Sequence, residues 1–205
     1  MIIIGDRKLD NKKLDEAADV LCQAFKNDPL YNAVFQNKKD LFRYIKLMVD
    51  YYNRNGEIHV AVVDDKIVGA SIWNHKGTPF FSLRSVLTSG MFGEIIKFLM
   101  LIQIKSMIKL KNETLITERY HYNKEHHYIF MLGSVAKGAG RALMEYDIKK
   151  FSDCPIYLEN SNIKDNQNFY EKLGFHSIKT IDVMGISVDL LTNSKGDQLY
   201  EEIDR

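Results

Sequence analysis

The chain has 205 residues, is 45% hydrophobic and 27% charged, and sets 28 Lys and Arg against 27 Asp and Glu for a net charge of +1. That length suits one domain with a sizeable core, and the balanced charge excludes the phosphate-neutralising surface that nucleic-acid binding needs. Cys22 and Cys154 lie far apart and without metal-ligand spacing, which argues against a zinc site or a disulfide framework and for a reducing, cytoplasmic setting.

Residues 1–6 read as a short strand, because they lack the basic flank and long apolar core of a signal peptide. Residues 10–26 carry Leu14, Ala17, Ala18, Leu21, Cys22 and Phe25 at helical spacing, and Asn27-Asp28-Pro29 stops that helix. A second amphipathic helix over 41–52 ends at Asn55-Gly56. Residues 58–63 and 67–73 are β-formers around the turn Asp64-Asp65-Lys66, a hairpin pattern. Gly77-Thr78-Pro79 then breaks the chain before an apolar region at 86–110. Glu94, Lys97 and Lys105 interrupt that region, so a buried or surface-seeking helix is expected and a membrane span is not. A further helix is expected over 112–125.

The second half changes character. Residues 127–133 form an apolar β run, followed by a glycine-rich turn and a helix over 140–151. A short strand at 155–159, a helix over 164–173 ended by Gly174, and a hairpin of 175–184 and 186–191 around Gly185 complete the chain. Helices followed by strands with β-α-β crossovers describe a single α+β domain, residues 1–205, on a mixed sheet of six to seven strands. A helical insertion occupies about 80–125.

The chemistry sits on the strand, glycine turn and helix that run from Tyr128 through Gly138 and Gly140 to Tyr146. Glycines let the backbone approach a ligand closely, and the first turn of a helix offers free N–H groups and a positive dipole end. Lys137 and Arg141 add positive charge, so the turn suits a phosphate. Neither nucleotide-binding glycine fingerprint fits it.

At this point the chain resembles the GNAT family, the Gcn5-related N-acetyltransferases. Lys137-Gly138-Ala139-Gly140 matches the core of the family's pyrophosphate loop, and Phe169-Tyr170-Glu171-Lys172-Leu173-Gly174-Phe175 matches its most recognisable string. Ala24-Phe25, Asp28-Pro29-Leu30, the Val68-to-Trp73 strand and Glu125-His126-His127-Tyr128 are similar to one bacterial and fungal branch. The resemblance implies acetyl-CoA as co-substrate, no metal, and transfer of the acetyl group to a primary amine of a small molecule or peptide by direct attack in a ternary complex. It further implies Tyr170 as the general acid for the leaving thiolate. Leu132, Gly133 and Ser134 would pair their backbone with the pantetheine, and Lys137, Gly138, Ala139, Gly140 and Arg141 would hold the pyrophosphate. Asn162 and Asn166 would bind the cofactor arm. The chain departs from the family in one place: only Val135-Ala136 separates Ser134 from Lys137, a turn a few residues shorter than usual.

Glu118, Glu125, His126 and His127 are candidates for the general base, and none is singled out. Trp73, Tyr31, Phe35, Phe80 and Phe81 are candidates to wall an acceptor pocket. The short turn keeps open a second reading, a non-catalytic CoA-binding or interaction protein on the same fold. The apolar helix keeps open a third, a membrane-surface or partner-binding role that includes association into a homodimer.

Overall fold

The computed structural model describes residues 1–5, 8–75 and 83–194. Gly77-Thr78-Pro79, Phe80 and Phe81 lie outside the described residues.

Seven strands form one mixed sheet: β1 (Ile3–Gly5), β2 (Glu57–Val63), β3 (Lys66–Asn74), β4 (His127–Ser134), β5 (Ile156–Asn160), β6 (His176–Val183) and β7 (Ile186–Thr192). Their order is β1-β2-β3-β4-β5-β7-β6. The β2–β3 and β6–β7 hairpins turn on residue pairs with positive φ, Asp64 and Asp65 in one and Met184 and Gly185 in the other. Such pairs match the right-handed twist of the strands they join. Antiparallel neighbours can use such tight turns, but β4 and β5 run parallel and need a crossover. Helix α7 (Ala139–Lys150) supplies it.

Helices α1 (Asn11–Ala24) and α3 (Lys38–Asn55) pack their apolar stripes on one face of β2, β3 and β4. Asp10 caps α1 by accepting from the Lys13 amide at 2.9 Å, and Asn37 caps α3 through Asp40 at 2.8 Å. The Asn37 cap places the start of α3 several residues before the apolar periodicity begins. A short 3-10 turn, Phe25–Asn27, ends α1 ahead of Asp28, and Pro29 opens a short helix, α2 (Pro29–Val34). Asp28 caps that helix through the Tyr31 amide at 2.9 Å, and proline at the first helical position costs no hydrogen bond.

The middle of the chain forms three helices where the apolar pattern suggested one long helix and a separate shorter one. These are α4 (Leu83–Thr88), α5 (Phe92–Leu101) and α6 (Ile104–Tyr120). Gly90, at φ +71°, breaks the first junction, and the extended Ile102 breaks the second. The buried Asp40 carboxylate then holds α6 in place, taking the Gln103 amide at 3.2 Å and the Ser106 hydroxyl at 3.4 Å. The break turns α5 and α6 over one end of the sheet and leaves Phe92, Ile96, Leu99, Met100, Ile104 and Ile108 exposed. Among the described residues no helix is long and apolar enough to cross a membrane.

The last helix, α8 (Ile163–Glu171), leads through a turn at Gly174 (φ +86°) into β6.

Candidate active site

The site begins where the sheet opens. Strand β4 stays paired with β3 as far as Ser134, but its pairing with β5 runs only from His127 to Ile129. Beyond Ile129 the two parallel strands diverge, and the side of β4 that faces β5 has no strand partner among the described residues. A bulge between β3 and β4 leaves Phe130 out of the register. As a result Ile129, Phe130, Met131 and Leu132 all reach one cavity, against the alternation of a regular strand.

That cavity has a volume of about 730 Å³ and lies between the opened sheet, α2, α3, α5 and α6. Tyr31, Tyr44, Tyr52 and Tyr128 line it, and Phe25 meets Tyr31 edge-on at 5.1 Å. Among these aromatics stand the carboxylates Glu113, Glu118 and Glu159. Glu159, on β5, accepts from the hydroxyls of Tyr157 at 3.1 Å and Tyr128 at 3.4 Å. Burial, the nearby Glu159 and then Glu118 push the Glu113 carboxyl up to about 7.

Tyr170 lines the same cavity from α8 and is 8% exposed. Burial, with a smaller contribution from Asp28, holds its phenol well above the usual tyrosine range, so the group keeps its proton at neutral pH. Asn166, one turn earlier on α8, also lines the cavity and donates from Nδ2 to Asn160 Oδ1 at 3.3 Å. Asn160 itself is 4% exposed, and its Nδ2 is a buried donor with no acceptor among the described residues. A buried N–H left unpaired costs on the order of 1–3 kcal/mol, and here it faces a cavity.

On the far side of β4, α7 starts directly after the turn 135–138. Gly138 caps it at φ +84°, a conformation other residues adopt only with strain. A Cβ on Gly140 would stand 3.1 Å from Ser134 Oγ, so glycine lets the first turn of α7 lie against the end of β4. First-turn amides of a helix have no acceptor within it. The shortened turn therefore still presents a helix N-terminus at the end of β4. Lys137 is exposed beside it, and Arg141 is tied to Glu145 at 2.7 Å on the surface.

The residues singled out from the sequence thus fall into two groups. Leu132, Asn166 and Tyr170 line the cavity, while Gly133, Ser134 and Lys137 to Arg141 form the strand end and helix start next to it. Asn162 stands apart from the cavity, with its Nδ2 on Asp165 at 3.1 Å as α8 begins. Of the base candidates only Glu118 lines the cavity. His127 is buried against Phe151 with Nε2 on Asp153 at 3.0 Å, and Glu125 is exposed. Trp73 is a core residue: it is fully buried, with Nε1 on Ser71 and Asp147. Of the other proposed pocket aromatics Tyr31 lines the cavity, and Phe35 stacks behind it at 6.2 Å.

Sequence reading missed Glu113, His121, Glu159 and Asn160. Glu159 and Asn160 follow each other at the end of β5, where the strand leaves its parallel partner, and both line the cavity. A polar pair, one of them charged, at the end of a short apolar strand is the one signal that marks them.

No protein-family model matches the sequence, and no curated protein does. Solved structures do match the fold. A histone acetyltransferase HPA2-related acetyltransferase from Corynebacterium glutamicum is 20% identical, with a TM-score of 0.66 over 98% of each chain. An agmatine N-acetyltransferase is 16% identical, with a TM-score of 0.54 over 93% of this chain and 98% of its own. A mosquito arylalkylamine N-acetyltransferase-like protein is 14% identical, with a TM-score of 0.55 over 94% of this chain and 99% of its own. With the sheet order and the parted β4 and β5, these likenesses identify the architecture of the chain as the GNAT acetyltransferase fold.

Proposed function

We propose that the protein is an N-acetyltransferase that moves the acetyl group of acetyl-CoA to a primary amine of a small molecule. The observation that carries this reading is the convergence of Tyr170, Asn160 and the unpaired side of β4 on one aromatic, carboxylate-bearing cavity. Each of the three supplies something acyl transfer needs, which is positioning, a donor for developing negative charge, and a proton for the leaving group.

The residues present fit acetyl-CoA. The N-terminus of α7 suits its pyrophosphate, with Gly138, Ala139 and Gly140 keeping the backbone bare and Lys137 adding charge. Arg141 joins it once released from Glu145. The free side of β4 from Phe130 to Ser134 suits the pantetheine amides, as a peptide adds to a sheet edge. The orphan Nδ2 of Asn160 suits a carbonyl oxygen, and Asn166 holds that amide in position. Acetyl-CoA supplies the thioester. The acceptor nitrogen attacks its carbonyl carbon, the C–S bond breaks, and Tyr170 gives its hydroxyl proton to the departing sulfur.

Helices α5 and α6 roof the cavity, which favours a small acceptor over a peptide. The tyrosine walls and carboxylates favour a cation with an apolar body. Structural neighbours named for agmatine and for arylalkylamines support the same class.

The test is release of CoA thiol in the presence of acetyl-CoA and a panel of arylalkylamines, diamines and guanidino amines. Tyr170→Phe should lower kcat by about 10²-fold, the range of general acid–base catalysis, with acetyl-CoA affinity retained. Turnover of an amine by the wild type with kcat unchanged in Tyr170→Phe would remove Tyr170 from the chemistry. Binding of acetyl-CoA without turnover of any amine would favour a CoA-binding protein.

A further inference from the structure

A primary amine enters the cavity as an ammonium ion and must lose a proton before it can attack. The walls that receive it are largely aromatic, and the proton needs a way from the carboxylate that takes it into bulk water. The hydrogen-bond directions around His121 and His126 provide one.

His126 Nδ1 lies 2.6 Å from the Lys124 carbonyl oxygen. A carbonyl only accepts, so the hydrogen of neutral His126 sits on Nδ1 and its Nε2 presents a lone pair. That lone pair faces His121 Nε2 at 3.0 Å. One of the two facing nitrogens must carry a hydrogen, and His126 has placed its own elsewhere, so His121 Nε2 is the donor. In neutral His121 the other nitrogen, Nδ1, then carries the lone pair, and it stands 3.6 Å from Glu159 Oε1. Both His121 and Glu159 line the cavity. His126 is one step further out and half-buried.

We propose that Glu159, His121 and His126 form a relay that takes the proton of the acceptor ammonium to the surface. The proposal rests on the acetyltransferase reading and adds the base that reading lacks. The N–H bond of the ammonium breaks with its electron pair left on nitrogen, and the proton bonds to Glu159. It passes to His121 Nδ1, making an imidazolium, and the proton on His121 Nε2 moves to His126 Nε2. His126 releases its Nδ1 proton to water, and both rings regain their first tautomers by exchange with water. The 3.6 Å gap between Glu159 and His121 is too long for a hydrogen bond, so the proton crosses it only once the two groups close up.

The surroundings suit this path. Tyr128 and Tyr157 contact the His121 ring at 4.9 and 4.8 Å, and Tyr122 and Tyr157 contact the His126 ring at 5.2 and 5.3 Å. Tyr128 and Tyr157 also direct their hydroxyls at Glu159, which fixes the carboxylate against the relay. The charged groups facing this array are Glu113 and Glu118 from α6, with Lys124 in the turn before β4. Burial, then His121 and His127, hold His126 below its ordinary range, so it gives its proton up readily.

The experiment is the pH profile of kcat for an amine the wild type acetylates, with His126→Gln, His121→Gln and Glu159→Gln compared. The relay predicts a loss of about tenfold or more at pH 6.5 for each variant. The loss should shrink as pH approaches the acceptor's own pKa, where the amine arrives neutral, and the acetyl-CoA KM should stay unchanged. Added imidazole should restore part of the rate of His126→Gln. A deficit that is the same at every pH and is not rescued by imidazole would overturn the relay, since a merely structural role behaves that way. If the wild type acetylates no amine at all, the acetyltransferase reading fails, and the relay falls with it. Nitrogen-15 NMR of histidine-labelled protein tests the array without turnover: hydrogen on Nδ1 of His126 and on Nε2 of His121 supports it, and the opposite pattern overturns it.

Discussion

Asp147 on α7 is the residue whose loss should damage the fold most. It is fully buried, and its carboxylate accepts from Ser71 Oγ at 2.8 Å, from Trp73 Nε1 at 3.1 Å and from His59 Nδ1. His59 is buried too, and its Nε2 meets Glu57 at 2.6 Å, while Lys150 closes the array on Glu57. Burial alone would lower the His59 pKa, but Asp147 first and then Glu57 outweigh it and hold the imidazolium above the usual range. Asp147→Asn keeps the shape and removes the charge. Its single amide oxygen cannot serve three donors, and its NH₂ must point at one of them. Breaking a buried pair from one side costs about 3–5 kcal/mol. In a chain of this length that is a fall of roughly 6–20 °C in Tm.

The measurement is urea unfolding of wild type and Asp147→Asn between pH 5 and pH 9. The histidine's folded pKa is raised, so its contribution is complete below about 6.5, the unfolded value, and is lost as pH rises through the folded value. His75, Glu57, Tyr146 and Lys150 are further titratable groups around it. Wild type should therefore lose stability across that rise, and the variant should lose less. A cost below about 1 kcal/mol with an unaltered pH dependence would refute the reasoning, because it would leave the three bonds to Asp147 without energetic weight.

Two further outcomes follow from particular contacts. Gly133→Ala would place a Cβ 2.7 Å from Ala24 Cβ and 3.1 Å from Leu21, pressing α1 off β4. Overpacking of that kind costs about 1–3 kcal/mol in thermal or urea unfolding, and Ala24→Gly in the same chain should recover much of it. Glu113 has a raised folded pKa, so its penalty sets in as pH climbs past the unfolded value and is complete above about 7. Glu113→Gln should accordingly match wild type at pH 4 and be more stable at pH 8, and equal stability at pH 8 would contradict the desolvated setting of that carboxylate.

Much of this architecture was legible in the sequence because local signals agreed with it. The Asp64-Asp65 and Met184-Gly185 turns fixed two hairpins, and the glycines at 138, 140 and 174 marked the ends of α7 and α8. The breaks between α4, α5 and α6 were hidden because the apolar run continues through them. What divides α5 from α6 is the Asp40 carboxylate, distant in sequence, which binds Gln103 and Ser106. The site was legible where it is backbone, at the strand end and helix start, and at Tyr170 within a recognisable string. It was not legible at His121, Glu113, Glu159 and Asn160, whose roles depend on where β4 and β5 part and how α6 folds over the gap. Trp73 misled for the opposite reason: its indole looks like a pocket wall, but its N–H is spent on Asp147 in the core.

The most direct measurement of the central claim is the melting temperature during titration with acetyl-CoA, with desulfo-CoA and ATP as controls. A ligand that binds only the folded chain adds about 2.7 kcal/mol at a hundredfold excess over Kd. The α7 N-terminus and the free side of β4 predict a clear upward shift with acetyl-CoA and desulfo-CoA and none with ATP. A flat response at millimolar acetyl-CoA would contradict the account at its foundation.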